Sequence, residues 1–167
     1  MNPALRLLKS LLKKINYTLV KNESVNLDYE FPELDKFEKE IFKNIFPKYT
    51  MTSPERIFAL MKSINFVKQN NVAGDFVECG VWRGGNLILF QKFIEKYNLN
   101  KKIYAYDTFE GMSEPEKIDE TFKGESSSYL LNKLKKKQVN RKENILIADC
   151  SLEQVKENFK KFTNNNN

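Results

Sequence analysis

The stretch from Gly74 to Gly85, GDFVECGVWRGG, constrains the fold of this chain more than any other. Phe76–Cys79 is a short apolar run after a Gly-Asp turn signal, which predicts a buried β-strand. The glycines that follow allow a tight turn, because glycine tolerates positive φ and has no Cβ. From Asn86 to Lys96, apolar residues recur mainly at helical spacing. A strand, a glycine turn and a helix form the first unit of a doubly wound α/β fold, in which ligands bind at the carboxyl ends of the strands.

Glu78 places a negatively charged carboxylate at the start of this turn. A dinucleotide-binding fingerprint reads GxGxxG, whereas here a carboxylate closes the strand and Gly80, Gly84 and Gly85 follow. A carboxylate repels the phosphates that a helix N-terminus otherwise attracts, and it accepts hydrogen bonds from an ammonium group. S-adenosylmethionine carries such an ammonium at its methionine end. A tight connection that binds nothing has similar glycines, so this stretch alone leaves both interpretations open.

Acidic residues also follow two further predicted strands. Ile103–Tyr106 precedes Asp107, and Ile145–Ala148 precedes Asp149. In nucleotide-binding α/β folds, an acid after the second strand binds ribose hydroxyls, which predicts that role for Asp107. Asp149, together with Ser151, is predicted to lie on the adenine side. The alternative is that polar residues commonly follow strands without binding a ligand.

Two long motifs carry a family resemblance. Gly74–Gly85, together with YDTFEGM at Tyr106–Met112, resembles the macrocin O-methyltransferase (TylF/MycF-like) family. YTMTSPER at Tyr49–Arg56 is similar to the segment ahead of that family's first strand. The resemblance is close over residues 49–119 and looser as far as residue 151. It implies an S-adenosylmethionine-dependent O-methyltransferase that acts on a sugar hydroxyl of a glycan or a secondary metabolite.

The resemblance also implies the architecture. We expect the N-terminal half of a Rossmann-like class I methyltransferase fold, with about three parallel strands preceded by helices and with the chain ending after the third strand. The expected organisation is a basic amphipathic helix (1–21), a linker and helix (22–48), a partial S-adenosylmethionine-binding domain (49–163) and a disordered tail (164–167). The full-length family uses Mg²⁺ bound by later strands, so its ligands are absent here and no metal site is predicted.

The residues predicted to bind the cofactor belong to the segment before the first strand and to the ends of the three strands. They are Met51, Glu78, Gly80, Arg83, Gly84, Gly85, Asp107, Thr108, Phe109, Asp149 and Ser151. Met51 and Arg83 enter through the resemblance alone. No residue is identified as a general base, and truncation is expected to impair catalysis. The alternative is therefore a non-catalytic cofactor-binding remnant or a self-associating subunit.

Composition excludes several function classes. The 167 residues include no histidine, which removes every mechanism that needs an imidazole. The net charge is +6, and five of these positive charges belong to the first 21 residues, which contain no acid. The positive charge is therefore concentrated in one segment and does not indicate a nucleic-acid-binding face. Residues 5–20 predict an amphipathic helix, which lies on an anionic membrane surface or, alternatively, packs on its own domain or on a second subunit. Cys79 and Cys150 are predicted to be buried and reduced, which fits a cytoplasmic protein.

Helical periodicity and turn signals predict the remaining elements. Asn22–Glu30 is polar and predicts a linker, and apolar periodicity predicts a helix that follows Pro32 and ends before Pro47. Further predicted helices begin near Pro54, span 129–137 and span 151–162. Residues 112–129 have little periodicity and predict a long loop, either a lid or simply mobile.

Overall fold

The computed structural model describes residues 25–121, 123–136 and 150–163. The chain divides into two compact units, Met1–Pro32 and Glu33–Asn167. The described part of the first unit contains helix α1, Leu27–Glu30. The segment predicted to be a linker therefore includes a short helix at these four residues. A local reason is that Asn26 accepts the backbone N–H of Glu30 through its carbonyl, while its own N–H donates to Glu30 Oε1 at 3.0 Å.

The second unit contains five described helices and two described strands. They are α2 (Lys36–Ile45), α3 (Pro54–Gln69), β1 (Phe76–Cys79), α4 (Gly85–Tyr97), β2 (Ile103–Tyr106), α5 (Ser127–Lys136) and α6 (Leu152–Phe162). Both strands have the predicted bounds, and α4 is one residue longer at each end than predicted. The predicted helix at 1–21, third strand at 145–148 and tail at 164–167 lie outside the described residues, and the boundaries assigned to the domains remain predictions.

Capping residues fix where α2 and α6 begin. Asp35 accepts from the backbone N–H of Glu38 at 2.8 Å, and the Glu38 carboxylate accepts from the N–H of Asp35 at 2.9 Å. Ser151 and Gln154 form the same reciprocal pair at the start of α6. Such a capping box satisfies two backbone donors that have no partner within the helix. Helix α3 instead begins at a proline, whose missing N–H costs nothing in the first turn.

Helix α4 is at the centre of the second unit. Strands β1 and β2 pair in parallel, with Phe76 opposite Ile103 and Cys79 opposite Tyr106. Helix α4 connects them in sequence and contacts both strands as well as α2, α3 and α6. Phe76 stacks on Phe90 of α4 with ring centroids 4.7 Å apart, and Phe93 is fully buried. The apolar face of α4 therefore covers one face of the sheet.

The other face of the sheet is exposed. Val77, Tyr104 and Tyr106 are 58%, 43% and 60% accessible, and Cys79 is exposed beside them. The predictions of a buried strand and a buried Cys79 are therefore wrong. Side chains alternate between the two faces of a strand, and only the face that carries Phe76 meets α4. Cys150 is buried as predicted, and neither cysteine is part of a disulfide.

The described residues 107–121 and 123–126 lie between β2 and α5, where the sequence predicts a long loop at 112–129. They include a turn and one isolated antiparallel bridge, between Glu120 and Ser126. Helix α5 begins at Ser127, two residues before the predicted start. No helix in the described part of the chain combines the length and apolarity needed to cross a membrane.

Candidate functional site

The turn between β1 and α4 needs glycine at two positions for different reasons. Gly84 has φ of +83° and is the N-terminal cap of α4, a left-handed conformation that side chains disfavour. Gly85 donates its N–H to the carbonyl oxygen of Tyr49 at 2.9 Å, and a Cβ on Gly85 would lie 2.5 Å from that oxygen. The segment before α3 therefore lies directly against the start of α4.

Glu78 and Asn86 form a polar pair at the carboxyl end of β1. Asn86 Nδ2 donates to Glu78 Oε1 at 2.8 Å. Glu78 Oε2 and Asn86 Oδ1 are also buried, and neither receives a hydrogen bond from the residues that the structure describes. A buried acceptor without a donor costs about 1–3 kcal/mol. Two such acceptors on partnered side chains fit a ligand that brings several N–H groups.

Burial raises the pKa of the Glu78 carboxyl to about 7. The hydrogen bond from Asn86 opposes this increase, and the negative charge of Asp107 adds to it. Near neutral pH the side chain is therefore close to the midpoint of its titration. A cation placed against Glu78 would favour the ionised form and expel the proton.

Asp107 connects the glycine turn to the loop after β2. Its Oδ2 accepts from the backbone N–H groups of Val81 at 2.6 Å and Trp82 at 3.1 Å, and its Oδ1 accepts from Phe109 N at 2.9 Å. Burial raises the pKa of this carboxyl, but the backbone donors outweigh burial and hold the pKa below its ordinary value of 3.8. The structure thus shows Asp107 positioning the turn, and its contact with ribose remains a prediction.

The neighbouring predicted residues have mixed environments. Thr108 is exposed and donates to the carbonyl of Gly111 at 3.1 Å, while Phe109 is half-buried with φ of +56°. Met51 is 46% accessible. Gly80, the first glycine of the turn, donates its N–H to Tyr106 O at 2.9 Å. Glu78, the glycine turn and the motif that begins at Asp107 therefore meet at the carboxyl end of the sheet.

The last two predicted positions lie towards the end of the chain. Ser151 caps α6, where its Oγ accepts from Gln154 N. Its adenine role remains a prediction, and Asp149 lies outside the described residues. Helix α6 reaches the glycine turn, because Asn158 Nδ2 donates to the carbonyl of Arg83 at 3.2 Å. In the described ranges, no three His, Cys, Asp or Glu side chains lie together as a metal site would require.

Sequence reasoning found Glu78 but missed Asn86. A polar residue in the first turn of a helix is common, so its type alone gives no signal. Its position directly after the glycines, eight residues from Glu78, could have indicated it, because the turn folds the helix start back onto the strand end.

Comparison with known proteins assigns a family to this strand, glycine turn and helix. The macrocin-O-methyltransferase (TylF) family matches residues 11–167, and the chain belongs to that family. This confirms the resemblance stated from the motifs.

Two relatives are themselves O-methyltransferases. The chain is 28% identical over 115 residues to demethyldecarbamoylnovobiocin O-methyltransferase of Streptomyces niveus, covering 68% of this chain and 39% of the relative. It is 34% identical over 67 residues to 8-demethyl-8-(2,3-dimethoxy-alpha-L-rhamnosyl)-tetracenomycin-C 4'-O-methyltransferase of Streptomyces olivaceus, covering 40% of this chain and 26% of the relative. Among solved structures, the O-methyltransferase NovP is similar at 27% identity with a TM-score of 0.49, covering 68% of this chain and 42% of that chain. The chain therefore spans well under half the length of each of these proteins.

Proposed function

We propose that this chain binds S-adenosylmethionine, with Glu78 and Asn86 holding the ammonium of its methionine end. The observation that carries the proposal is a pair of buried acceptors that receive no hydrogen bond from any described residue, Glu78 Oε2 and Asn86 Oδ1. An ammonium offers three N–H donors and a positive charge, so it can satisfy both oxygens and compensate the buried carboxylate. Membership of an O-methyltransferase family supports the choice of methyl donor.

The chain's own residues would bind and orient this donor. When bound, S-adenosylmethionine supplies a methyl group activated by a sulfonium. Gly84 and Gly85 let the turn close tightly against the Tyr49 segment, and Asp107 holds the turn in place through its backbone hydrogen bonds. We assign the exclusion of water to the loop after Asp107, which starts at the same end of the sheet.

The reaction that we propose is O-methylation of a sugar hydroxyl on a glycan or a secondary metabolite. Both relatives are O-methyltransferases, and the substrate of one of them carries a rhamnosyl group. Such a transfer needs the hydroxyl oxygen held in line with the methyl group at near-attack distance. We further infer that the two-stranded parallel sheet is the start of a Rossmann-like class I methyltransferase fold.

Isothermal titration calorimetry of the folded chain with S-adenosylmethionine and S-adenosylhomocysteine tests the donor proposal. We expect both ligands to bind the wild-type chain and Glu78→Gln to weaken binding at least tenfold, since a charge-assisted hydrogen bond is lost. Glu110→Gln is the matched control, because Glu110 is an exposed carboxylate of the neighbouring motif. Absence of binding to the folded wild-type chain would reject the proposal.

A second candidate, self-association, is favoured by the exposed sheet face. Val77, Tyr104 and Tyr106 present apolar surface there. A strand edge that has no partner strand among the described residues also invites pairing with another chain. Size-exclusion chromatography with light scattering decides between the two states, since a monomer at all concentrations argues against self-association.

A further inference from the structure

The Glu78–Asn86 pair buries more acceptors than it has donors. Asn86 Nδ2 donates to Glu78 Oε1 at 2.8 Å, which satisfies one oxygen of the carboxyl group. Glu78 Oε2 and Asn86 Oδ1 are buried as well, and neither accepts a hydrogen bond from a residue that the structure describes. An ionised carboxylate can only accept hydrogen bonds, whereas a protonated one also carries an O–H donor. One proton on Glu78 therefore converts an orphaned acceptor into a donor within the same pair.

Among the described residues, the groups that face Glu78 include one acid and no cation that pairs with it. Burial raises the pKa of the Glu78 carboxyl to about 7; the hydrogen bond from the neutral Asn86 on α4 opposes this increase, and the negative charge of Asp107 adds to it. Asp107 itself stays ionised at neutral pH, since burial raises its pKa but backbone hydrogen bonds outweigh burial and hold the pKa below 3.8. Arg83, the cation of the glycine turn, donates to Lys48 O at 3.1 Å. The described surroundings of Glu78 therefore favour its protonated form until a cation arrives.

The other titratable side chains of the two strands lie away from Glu78. Cys79, Tyr104 and Tyr106 belong to the exposed face of the sheet. Glu78 lies on the opposite face, where it meets α4 through Asn86. Because Asp107 titrates only in more acidic solution, a pH dependence of this pair between pH 5.5 and pH 7 belongs to Glu78.

We propose that Glu78 carries a proton in the free protein at and below neutral pH, and that the ammonium of the methyl donor displaces it. The inference rests on the proposed function, because it takes S-adenosylmethionine as the ligand of the Glu78–Asn86 pair. On binding, the O–H bond of Glu78 breaks and the proton passes to solvent. Ammonium N–H groups then donate to Glu78 Oε2 and Asn86 Oδ1, and no other covalent bond changes. Donor binding is therefore weaker in acid and releases a proton.

The size of the pH effect follows from the fraction of Glu78 that is ionised in the free protein. With a pKa of about 7, that fraction is about one half at pH 7.0 and about one thirtieth at pH 5.5. Only the ionised fraction accepts the ammonium, so the affinity should fall about tenfold between these pH values. The α-ammonium of the ligand stays charged over the same range, so titration of the ligand does not produce the effect.

Isothermal titration calorimetry of the full chain with S-adenosylhomocysteine, at pH 5.5 and pH 7.0, tests the proposal. Each titration is repeated in two buffers of different ionisation enthalpy, which gives the number of protons released. We expect binding about tenfold weaker at pH 5.5 and release of about half a proton at pH 7.0. Because 5′-methylthioadenosine lacks the ammonium, its binding should change less than twofold between the two pH values and release no proton.

Two variants and one spectrum assign the proton to Glu78. Glu78→Gln should bind S-adenosylhomocysteine with the same affinity at both pH values and release no proton. Glu110→Gln, at an exposed carboxylate of the neighbouring motif, should keep both effects of the wild type. In carbon-13 nuclear magnetic resonance, the Glu78 carboxyl signal is identified by its absence from Glu78→Gln. This signal should titrate near pH 7 without ligand and at lower pH when S-adenosylhomocysteine is bound.

The possible failures separate this inference from the donor proposal. Binding of S-adenosylhomocysteine that is equally tight at both pH values, or that releases no proton at pH 7.0, would overturn the inference and leave the donor proposal intact. A Glu78 carboxyl that titrates near its ordinary pKa of 4.5 in the free protein would overturn it as well. Absence of binding at both pH values would reject the donor proposal itself, and this inference with it.

Discussion

Replacing Glu78 with glutamine should stabilise the protein while it weakens donor binding. Glutamine has nearly the same shape and keeps an oxygen that can accept from Asn86 Nδ2. It removes the negative charge that burial makes costly. A residue that lowers stability in the free protein and serves a ligand is expected at a binding site.

The magnitude follows from the pKa of the Glu78 carboxyl, which is raised from 4.5 to about 7 chiefly by burial. Such a shift means that ionisation of Glu78 costs the folded state about 3 kcal/mol. Because the folded-state pKa lies above the unfolded value, this cost is absent below about pH 4.5, grows as pH rises and is complete above about pH 7. We expect Glu78→Gln to recover about 2–3 kcal/mol at pH 8.

Urea unfolding at pH 8 and pH 5, followed by circular dichroism, measures this difference. At pH 8 the variant should unfold at higher urea, with a melting temperature about 5–10 °C above the wild type. At pH 5 the difference should shrink to about 1 kcal/mol or less, because the cost of ionising Glu78 has only begun to grow just above pH 4.5. A variant less stable than the wild type at pH 8, or a difference independent of pH, would refute the assignment of Glu78 as a buried, costly carboxylate.

Three other substitutions test the surrounding structure. Gly85→Ala places a Cβ against the Tyr49 carbonyl and should cost about 1–3 kcal/mol in urea unfolding; an unchanged midpoint would contradict that contact. Asp107→Asn keeps one acceptor oxygen and sets its amide nitrogen against either the Phe109 N–H or the N–H groups of Val81 and Trp82, so it should lower the melting temperature at pH 7. The wild type should lose stability as pH falls below about 3.8, because the Asp107 carboxylate becomes protonated, and the variant should lose less over the same range. Equal losses of stability in acid would argue against the hydrogen bonds from the backbone to Asp107. Phe93→Ala, at a fully buried position, should cost about 3–5 kcal/mol by thermal denaturation, and a loss below 1 kcal/mol would count against α4 as the centre of the core.

The elements around the glycine turn could be predicted from the sequence because their signals are local. Apolar periodicity and glycine spacing fix the bounds of β1, β2 and α4 within one residue. The exposure of Cys79 could not be predicted in this way. Which face of a strand is covered depends on the elements that pack against it, and α4 covers only the face that carries Phe76.

The same difference between local and tertiary signals explains which parts of the site could be predicted. The sequence shows that a carboxylate, Glu78, lies at the end of a predicted strand, and this predicts a ligand that carries an ammonium group. The Asp107 carboxylate accepts hydrogen bonds from backbone N–H groups 25 and 26 residues earlier in the chain. That contact depends on the pairing of β1 with β2, so residue types alone do not reveal it. The orphaned oxygen of Asn86 likewise depends on burial, which only the folded chain defines.

Calorimetry with two ligands most directly tests whether the Glu78 carboxylate holds an ammonium. S-adenosylhomocysteine carries the amino-acid tail, and 5′-methylthioadenosine keeps the adenosine but lacks that tail. We predict that Glu78→Gln weakens S-adenosylhomocysteine binding at least tenfold and leaves the affinity for 5′-methylthioadenosine within twofold. Equal effects on both ligands, or no effect on S-adenosylhomocysteine, would contradict the account.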